Sequence, residues 1–129
     1  MALRTWEDMS RDCRHAARKL LDEDHLRSSI SRSYYAAYCA VTSMLMARHL
    51  RFPYSWHNPA HHQLPDLILH NTTLPFRVRY EINKALRRLR KLREDADYRP
   101  GASLERVDAL YALRDATFIL RIVEVQRDG

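Results

Sequence analysis

The chain has 129 residues, enough for one domain with a sizeable core, and its composition excludes several classes of protein. It contains only two glycines, Gly101 and Gly129, so it lacks the glycine-rich phosphate loops of P-loop and dinucleotide-binding folds. The 22 Lys and Arg residues exceed the 16 Asp and Glu residues and give a net charge of +6. We therefore expect a single domain, residues 1–129, that favours acidic partners such as RNA, nucleotides or an acidic protein.

The first helix is expected to begin near Thr5, because Thr5 and Asp8 have the spacing of a capping box. Two cysteines, Cys13 in this helix and Cys39 in the next, each lie among small or apolar neighbours. This pattern predicts that both cysteines are reduced and lie in the core, and that they do not form a disulfide. No signal peptide precedes the first helix, so we expect a cytoplasmic protein.

The stretch from Ser28 to Leu50 predicts the central helix of a bundle. Its large side chains recur every three to four residues, and no charged residue, Gly or Pro occurs between Ser33 and Ala47. The residues expected in the core are Ile30, Tyr34, Tyr38, Val41 and Leu45. The stretch is too short for a membrane span, so we expect no membrane contact. Ser28 or Ser29 is the expected N-cap.

A connection rich in aromatic and histidine residues, Phe52 to His62, follows this helix and contains prolines that forbid a long helix. Its aromatic side chains indicate either packing across the end of the bundle or a ligand surface. The spacing of His57, His61 and His62 allows two imidazoles to face one metal, but no Cys, Asp or Glu beside them completes a ligand set. We expect no metal site here, and a short helix from Pro65 to His70.

The fourth helix is expected from about Pro75 to Ala96, with one apolar face and a strongly basic remainder. Between Arg77 and Arg93 there are eight basic residues and one acid. Four of the basic residues lie opposite the apolar face and are either solvated or face phosphate. We call them the basic face of this helix: Lys84, Arg87, Arg88 and Lys91.

Arg93 differs from these residues because, at about 100° per residue, it lies only about 50° from the centre of the apolar face, at the margin of that face. A half-buried arginine needs a partner, and Asp97 lies one turn further along the helix. Tyr98 follows at the helix end. One interpretation is a local brace, in which Arg93 pairs with Asp97 and Tyr98 packs on the bundle. The other adds a ligand, because a guanidinium with unused donors can hold a phosphate in a cleft.

A turn at Pro100 and Gly101 precedes the last helix, expected from Ser103 to about Gln126. This helix carries two apolar stripes. One consists of Leu104, Val107, Tyr111, Phe118, Ile122 and Val125, and the other of Ala109, Leu113, Ala116 and Leu120. Since the bundle core needs only one stripe, the second predicts a homodimer through the last helix.

Two stretches of the sequence are similar to those of a known family. They are SRSYYAAYCAVTSML, in the central helix, and LRKLREDADY, at the end of the fourth helix. Together they resemble the HEPN family of small helical domains, in the branch that has a Tyr-Tyr-Ala-Ala core helix and an Arg-x-x-Ala-Asp-Tyr motif. The resemblance covers about Trp6 to Val125 and implies an all-α, up-and-down bundle of four to five helices.

The same resemblance bears on catalysis. Active ribonucleases of the family carry an arginine and a histidine separated by a few residues: the histidine transfers protons, and the arginine stabilises charge on the phosphate. Here the arginine position is Arg93, but the histidine position holds Tyr98, whose phenol is a poor base at neutral pH. Arg51 and His57 meet the spacing by count, but they are weaker candidates because they lie in the proline-rich connection.

The function that the resemblance implies is a nucleotide- or RNA-interacting module without nuclease activity of its own. Such proteins often form a toxin–antitoxin-type pair with a minimal nucleotidyltransferase, which in related pairs modifies a tyrosine near the arginine motif. Two alternatives stay open: a metal-independent endoribonuclease toxin, and a structural partner protein without a ligand. No cofactor is expected. The expected binding residues are Arg93, Asp97, Tyr98, Lys84, Arg87, Arg88 and Lys91, and the nuclease alternative makes Arg93 and Tyr98 the catalytic candidates.

Overall fold

The structure is a computed structural model that describes residues 5–47, 61, 63–70 and 72–128, and side chains as far as residue 126. Within these ranges every regular element is an α-helix and none is a strand. The helices are α1 (Trp6–Asp22), α2 (Leu26–Met46), α3 (Leu64–His70), α4 (Phe76–Tyr98) and α5 (Arg106–Asp128). The predicted all-α, up-and-down bundle of four to five helices is confirmed.

Helix α2 is the centre of this bundle, as its uncharged sequence predicts. It contacts each of the other four helices, whereas α3 contacts only α2 and α4. The predicted core side chains are all buried: Ile30, Tyr34, Tyr38, Val41 and Leu45. Because burying one such side chain contributes about 1.5–3 kcal/mol, this helix anchors the core. Among the described residues, no helix is both long enough and apolar enough to span a membrane.

Helix α1 begins with the predicted capping box. The Thr5 hydroxyl accepts a hydrogen bond from the Asp8 amide (3.0 Å), and the Asp8 carboxylate accepts one from the Thr5 amide (3.2 Å). Cys13 of α1 and Cys39 of α2, both free thiols, are neighbours, which their distance in sequence did not indicate. The hydrogen bond from Cys39 and the nearby Arg32 lower the pKa of Cys13 to about 6, although partial burial acts in the opposite direction.

The start of α2 differs from the prediction. The N-cap expected at Ser28 or Ser29 is wrong, because the helix begins at Leu26 with His25 in the N-cap position. No side chain caps this end. Ser29 is buried instead, and its hydroxyl donates to the carbonyl of Ala17 (2.8 Å), so it joins α2 to α1.

Helices α3 and α4 begin within one residue of the prediction. The first residue of α3 is Leu64, and that of α4 is Phe76, directly after Pro75. The end of α4 is different: the helix continues to Tyr98 rather than ending at Ala96. Tyr98 is therefore the last helical residue and not part of the turn.

Helix α5 begins at Arg106, three residues later than the predicted Ser103. The reason is a local hydrogen bond, because the carboxylate of Asp108 accepts from the amide of Glu105 (2.8 Å) and satisfies one open amide at this helix end. Ser103 is left in the connection between α4 and α5.

The two apolar stripes of α5 are separated, one on the core and one toward the surface. The core stripe of Ala109, Leu113, Ala116 and Leu120 is buried, together with Ala112, Ile119 and Val123. The other stripe, which we call the outer stripe of α5, contains the exposed Val107, Tyr111, Phe118 and Val125 and the half-buried Leu104 and Ile122. The three alanines of the core side have no exposed surface, so little side-chain volume separates α5 from the core.

Arg27 of α2 fixes the turn that joins α4 to α5. Its Nη1 donates to the carbonyls of Asp95, Ala96 and Arg99, and its Nη2 to those of Pro100 and Ala102, at 2.7–3.1 Å. The last carbonyls of a helix lack partners within the helix, and one guanidinium donates to several of them here, in addition to the backbone amides that reach Asp95 and Arg99. No spacing rule relates Arg27 to residues 68 to 75 positions later, so these contacts could not be predicted from the sequence.

Replacing Arg27 should destabilise the fold without changing the core. We expect Arg27→Ala to lower the free energy of unfolding by about 2–4 kcal/mol, because several carbonyls lose a charged donor at once. Urea denaturation followed by circular dichroism measures this change. Arg18→Ala, at an exposed arginine of α1, is the matched control and should change stability by less than about 0.5 kcal/mol. Equal stability of the two variants would contradict the role assigned to Arg27.

Candidate functional site

Arg93 is the residue on which the polar groups between α2 and α4 converge. Its side chain is only 13% exposed. Nε donates to Asp97 Oδ2 (3.0 Å), and Nη2 donates to the hydroxyls of Tyr35 (2.9 Å) and Tyr98 (3.0 Å). The guanidinium carbon also lies 5.1–5.5 Å from the ring centres of Tyr34, Tyr35 and Tyr98. The predicted ion pair with Asp97 is present, and two tyrosines of α2 that the spacing did not predict complete the cluster.

Tyr98 lies at the surface, and the prediction that it packs on the bundle is wrong. The residue is 66% exposed, and it contacts Arg93 through its hydroxyl and its ring. The reason is helical geometry: Ala96 is buried, and a step of two residues, about 200°, turns the next side chain to the opposite side of the helix. The phenol is therefore accessible while its oxygen is held at a fixed distance from the guanidinium.

The cluster keeps Arg93 charged and leaves part of it unoccupied. Burial by itself would lower the pKa of Arg93, but the neighbouring tyrosines and Asp97 stabilise the cation and raise it. Among the described residues, none accepts a hydrogen bond from Nη1. Two N–H groups are thus available to an oxygen atom of a ligand. A planar guanidinium that is fixed on its other side is well suited to bind a phosphate.

A cleft lies beside this cluster, and two partners of Arg93, Tyr35 and Asp97, line it, although Arg93 itself does not. The cleft has a volume of about 560 Å³ and lies between the end of α1, the first half of α2 and the end of α4. Its lining includes Arg27, Ser31, Arg32, Tyr35 and Asp97. Ser31 donates to Asp97 Oδ2 (3.2 Å), so α2 and α4 share this carboxylate. The charge of Arg32 suits an anionic group, whereas the Nη groups of Arg27 and the hydroxyl of Ser31 already donate within the protein. The negative charge of Asp97 limits how closely an anion can approach.

Next to Arg93, a second polar contact joins His61 to α2. The hydroxyl of Tyr34 is hydrogen-bonded to Nδ1 of His61 (2.5 Å), and the imidazole stacks on Tyr38 with ring centres 4.5 Å apart. Burial raises the pKa of Tyr34. Burial, followed by the charges of Arg93 and Arg90, lowers the pKa of His61. The lowered pKa favours the neutral imidazole, whose Nδ1 accepts from the phenol in the tautomer that is protonated at Nε2.

The other candidates in the connection lie outside the described residues. These are Arg51, His57, His62 and the rest of the segment from Phe52 to His62 apart from His61. The pair of Arg51 and His57 and the role of this segment therefore stay predictions. Within the part of the chain that the structure describes, no group of three His, Cys, Asp or Glu side chains could hold a metal ion.

The basic face of α4, Lys84, Arg87, Arg88 and Lys91, is less available than its sequence indicates. Arg88 donates from Nε and Nη2 to the two carboxylate oxygens of Asp115 (3.0 Å each), whose side chain is 6% exposed. This hydrogen bonding raises the pKa of Arg88. Arg88 therefore joins α4 to α5 and is not an open phosphate ligand, which corrects its place in the predicted binding set.

The other three cations of the basic face are more accessible. Arg87 and Lys91 each face a carboxylate at 3.5–3.8 Å, and such loose surface pairs contribute little and exchange readily for another anion. Lys84 lies 5.2 Å from the ring centre of Tyr80 and forms no ion pair with a described residue.

Two residues of this region were missed by the sequence analysis for different reasons. Tyr35 carries a usable signal: it follows the core residue Tyr34, so it points about 100° away from that face, and a half-buried phenol there needs a polar partner. Arg27 carries no such signal, because its partners are backbone carbonyls of a distant turn.

The lowered pKa of His61 predicts how stability depends on pH. The unfolded chain takes up this proton near pH 6.5, whereas the folded protein takes it up only at a lower pH. The free energy of unfolding should therefore decrease as the pH falls below about 6.5, and the loss should be complete below the folded pKa. Urea titrations at several pH values measure this dependence.

His61→Asn keeps a hydrogen-bond acceptor for Tyr34 and should remove this part of the pH dependence. His70→Asn, at an exposed histidine that ends α3, is the control and should keep it. A His61→Asn variant that loses stability on acidification as steeply as the wild-type protein would show that His61 does not titrate in the assigned environment.

A comparison with models of protein families agrees with this architecture, whereas a search of curated proteins found no match. The family model described as "HEPN domain" matches residues 3–126, which is nearly the whole chain. The resemblance carried by the Tyr-Tyr-Ala-Ala helix and the Arg-x-x-Ala-Asp-Tyr motif is thereby confirmed at the level of the family. A five-helix bundle that matches over this range is a member of the HEPN family.

Proposed function

We propose that this HEPN protein is a nucleotide- or RNA-binding module without nuclease activity of its own, and that it forms a toxin–antitoxin-type pair with a minimal nucleotidyltransferase. The observation that carries the proposal is Arg93, which is charged, held on one side by Asp97 and two phenols, and open at Nη1. A guanidinium held in this way has already lost its side-chain freedom, so binding a phosphate costs little further entropy. The net charge of +6 acts in the same direction.

Tyr98 is the residue on which we expect the transferase partner to act. Its phenol is exposed, and its oxygen lies 3.0 Å from Nη2 of Arg93. Transfer of a nucleotidyl group from a nucleoside triphosphate to this oxygen releases pyrophosphate and leaves a phosphodiester on Tyr98. The new phosphate would lie within reach of the Arg93 guanidinium, so the modified and unmodified proteins would differ in what Arg93 can bind.

One observation favours the alternative, a metal-independent endoribonuclease. His61 and Arg93 both contact Tyr34, so an imidazole lies near the arginine even though position 98 holds tyrosine. A general acid or base, however, needs an accessible imidazole that titrates near neutral pH. His61 is half-buried, its Nδ1 is occupied by Tyr34 and its pKa is lowered. The binding module is therefore the better supported of the two.

The proposal predicts that Arg93 is needed for binding as well as for stability. Arg93→Gln should weaken the binding of ATP and of single-stranded RNA by at least about tenfold, because a charged contact to phosphate contributes about 1.5–3 kcal/mol. It should also lower the free energy of unfolding by about 1–3 kcal/mol, because Asp97 and the phenols lose their donor. Calorimetry with ATP and fluorescence anisotropy with labelled RNA measure binding, and urea denaturation measures stability.

Arg90→Gln is the matched control, because Arg90 forms a 3.2 Å ion pair with Glu94 at the same helical spacing. It should leave both affinities within about twofold of the wild type. If Arg93→Gln loses stability but binds as the wild-type protein does, Arg93 is a structural brace and not the binding site. If the wild-type protein binds neither ATP nor RNA, the chain is a structural partner protein without a ligand. If the wild-type protein cleaves single-stranded RNA without metal and Arg93→Gln abolishes cleavage, the endoribonuclease is the correct function.

We also propose that the protein forms a homodimer through the outer stripe of α5. Phe118, Ile122 and Val125 of this stripe line one wall of a groove of about 390 Å³. Its other wall includes Pro75 and Val78. Apolar surface of this extent is unfavourable in water, and two copies of the chain can cover each other's stripe in one symmetric contact.

Phe118→Glu should dissociate this dimer, because it places a charge within the apolar contact. Sedimentation equilibrium should show the mass of one chain for the variant and of two chains for the wild-type protein. Leu110→Glu, at an exposed apolar residue of α5 outside the outer stripe, is the control and should stay dimeric. A wild-type protein that is monomeric at about 100 µM would contradict the homodimer and indicate that the stripe binds a different partner.

A further inference from the structure

Phe76 and Tyr80, near the start of α4, form an aromatic stack on the surface. They lie one helical turn apart and are 64% and 47% exposed. Their rings are within 15° of parallel, with centres 6.1 Å apart. Neither residue belongs to the Arg93 cluster or to the outer stripe of α5. Two adjacent large rings that remain open to solvent indicate a surface that binds a partner.

Cations lie against both rings. The Arg79 guanidinium carbon is 5.7 Å from the centre of the Phe76 ring, and the Lys84 ammonium is 5.2 Å from the centre of the Tyr80 ring. Nη1 of Arg79 donates to the carbonyl of Leu69 (2.6 Å), which fixes this guanidinium beside the stack. The stack is therefore apolar on its ring faces and positively charged around them.

The stack is continuous with the accessible part of the basic face. Steps of about 100° per residue place the two rings on the same side of α4 as three cations. In order along the helix, these residues are Phe76, Tyr80, Lys84, Arg87 and Lys91. At a rise of about 1.5 Å per residue they form a ridge about 22 Å long, which is aromatic at one end and cationic along the rest.

The ridge is separate from the proposed dimer surface. Val78, which lines the apolar groove, is two residues from Phe76 and two from Tyr80. Two residues correspond to about 200° around the helix, so the rings point away from the groove. Occupation of the groove by a second copy of the chain would leave the ridge open.

We propose that Phe76 and Tyr80 are a stacking platform for the bases of single-stranded RNA, and that Lys84, Arg87 and Lys91 bind its phosphates. Every base presents a flat face to an aromatic ring, and a row of cations follows the backbone, so this combination binds single strands with little sequence preference. A protein contact fits less well, because it would take three cations out of water while Arg87 and Lys91 have only loose carboxylate partners and Lys84 has none among the described residues. The inference rests on the proposed function and names the surface that would bind the RNA.

The test measures the affinity of the full chain for a fluorescein-labelled oligouridine of about 12 nucleotides, by anisotropy at about 50 to 200 mM salt. Phe76→Ala and Tyr80→Ala should each weaken binding about 5- to 100-fold, because each removes a stacking surface. Tyr80→Leu, which keeps an apolar side chain without a ring, should lose as much. Tyr80→Trp keeps a ring and should bind at least as tightly as the wild-type protein.

Salt dependence separates the rings from the cations. The aromatic variants should keep the wild-type slope of log affinity against log salt, because they remove no phosphate contact. Lys84→Gln should reduce that slope by about 0.7. Leu110→Ala controls for the loss of exposed apolar surface, because Leu110 is 46% exposed and Tyr80 is 47% exposed, and it should bind RNA as the wild-type protein does. Both rings are exposed, so the variants should fold, and circular dichroism checks that they do.

The outcomes distinguish this platform from the Arg93 site. If the aromatic variants bind oligouridine normally and Arg93→Gln does not, the platform is overturned and the proposed function stands. If the aromatic variants lose RNA and Arg93→Gln keeps it, the platform stands and Arg93 is not the RNA site. Absence of oligouridine binding by the wild-type protein at low salt overturns the platform, whatever the result with ATP. A loss of self-association in the aromatic variants, with RNA binding intact, also overturns it and assigns the rings to a protein contact.

Discussion

The reversal of the chain between α4 and α5 depends on the guanidinium of Arg27. The carbonyls at the end of a helix need partners from outside the helix, and this guanidinium donates to those of Asp95 and Ala96. Helix α4 therefore continues to Tyr98, two residues beyond the predicted end. A positive charge at this end of the helix is also favoured by the helix dipole. The extension matters for the candidate site, because Tyr98 is then held by helical geometry near Arg93. In a turn, its oxygen would have no fixed distance from the guanidinium.

The polar residues between α2 and α4 act as one layer rather than as separate pairs. Arg93 is shared by a carboxylate and two phenols, and its charge also acts on Tyr34 and on His61 behind it. In a half-buried position, each of these contacts is stronger than in water, and each missing partner costs more. Stability and the ligand binding that we propose would therefore depend on the same atoms. For this reason a variant of Arg93 is informative only beside one that removes an equivalent ion pair elsewhere on α4.

The features that could be predicted from the sequence are those set by local spacing. The burial of the α2 side chains follows from their period, and the pair of Arg93 and Asp97 follows from their separation of four residues. The contact of Arg88 with Asp115 could not be predicted, because it joins residues 27 positions apart and no local pattern selects one carboxylate over another. The exposure of Tyr98 could be predicted only in part. Its exposure follows from a step of about 200° beyond Ala96, but only once the helix is known to continue past that residue.

At Ala109, Ala112 and Ala116 the core side of α5 has almost no capacity to adjust. A core of long side chains can accommodate a substitution by changing rotamers, whereas an alanine has no rotamer to change. Any larger residue at these three positions must therefore move the helix axis. That movement would displace Asp115, the neighbour of Ala116, from its contact with α4. In evolution, related chains should therefore keep small residues at these three positions.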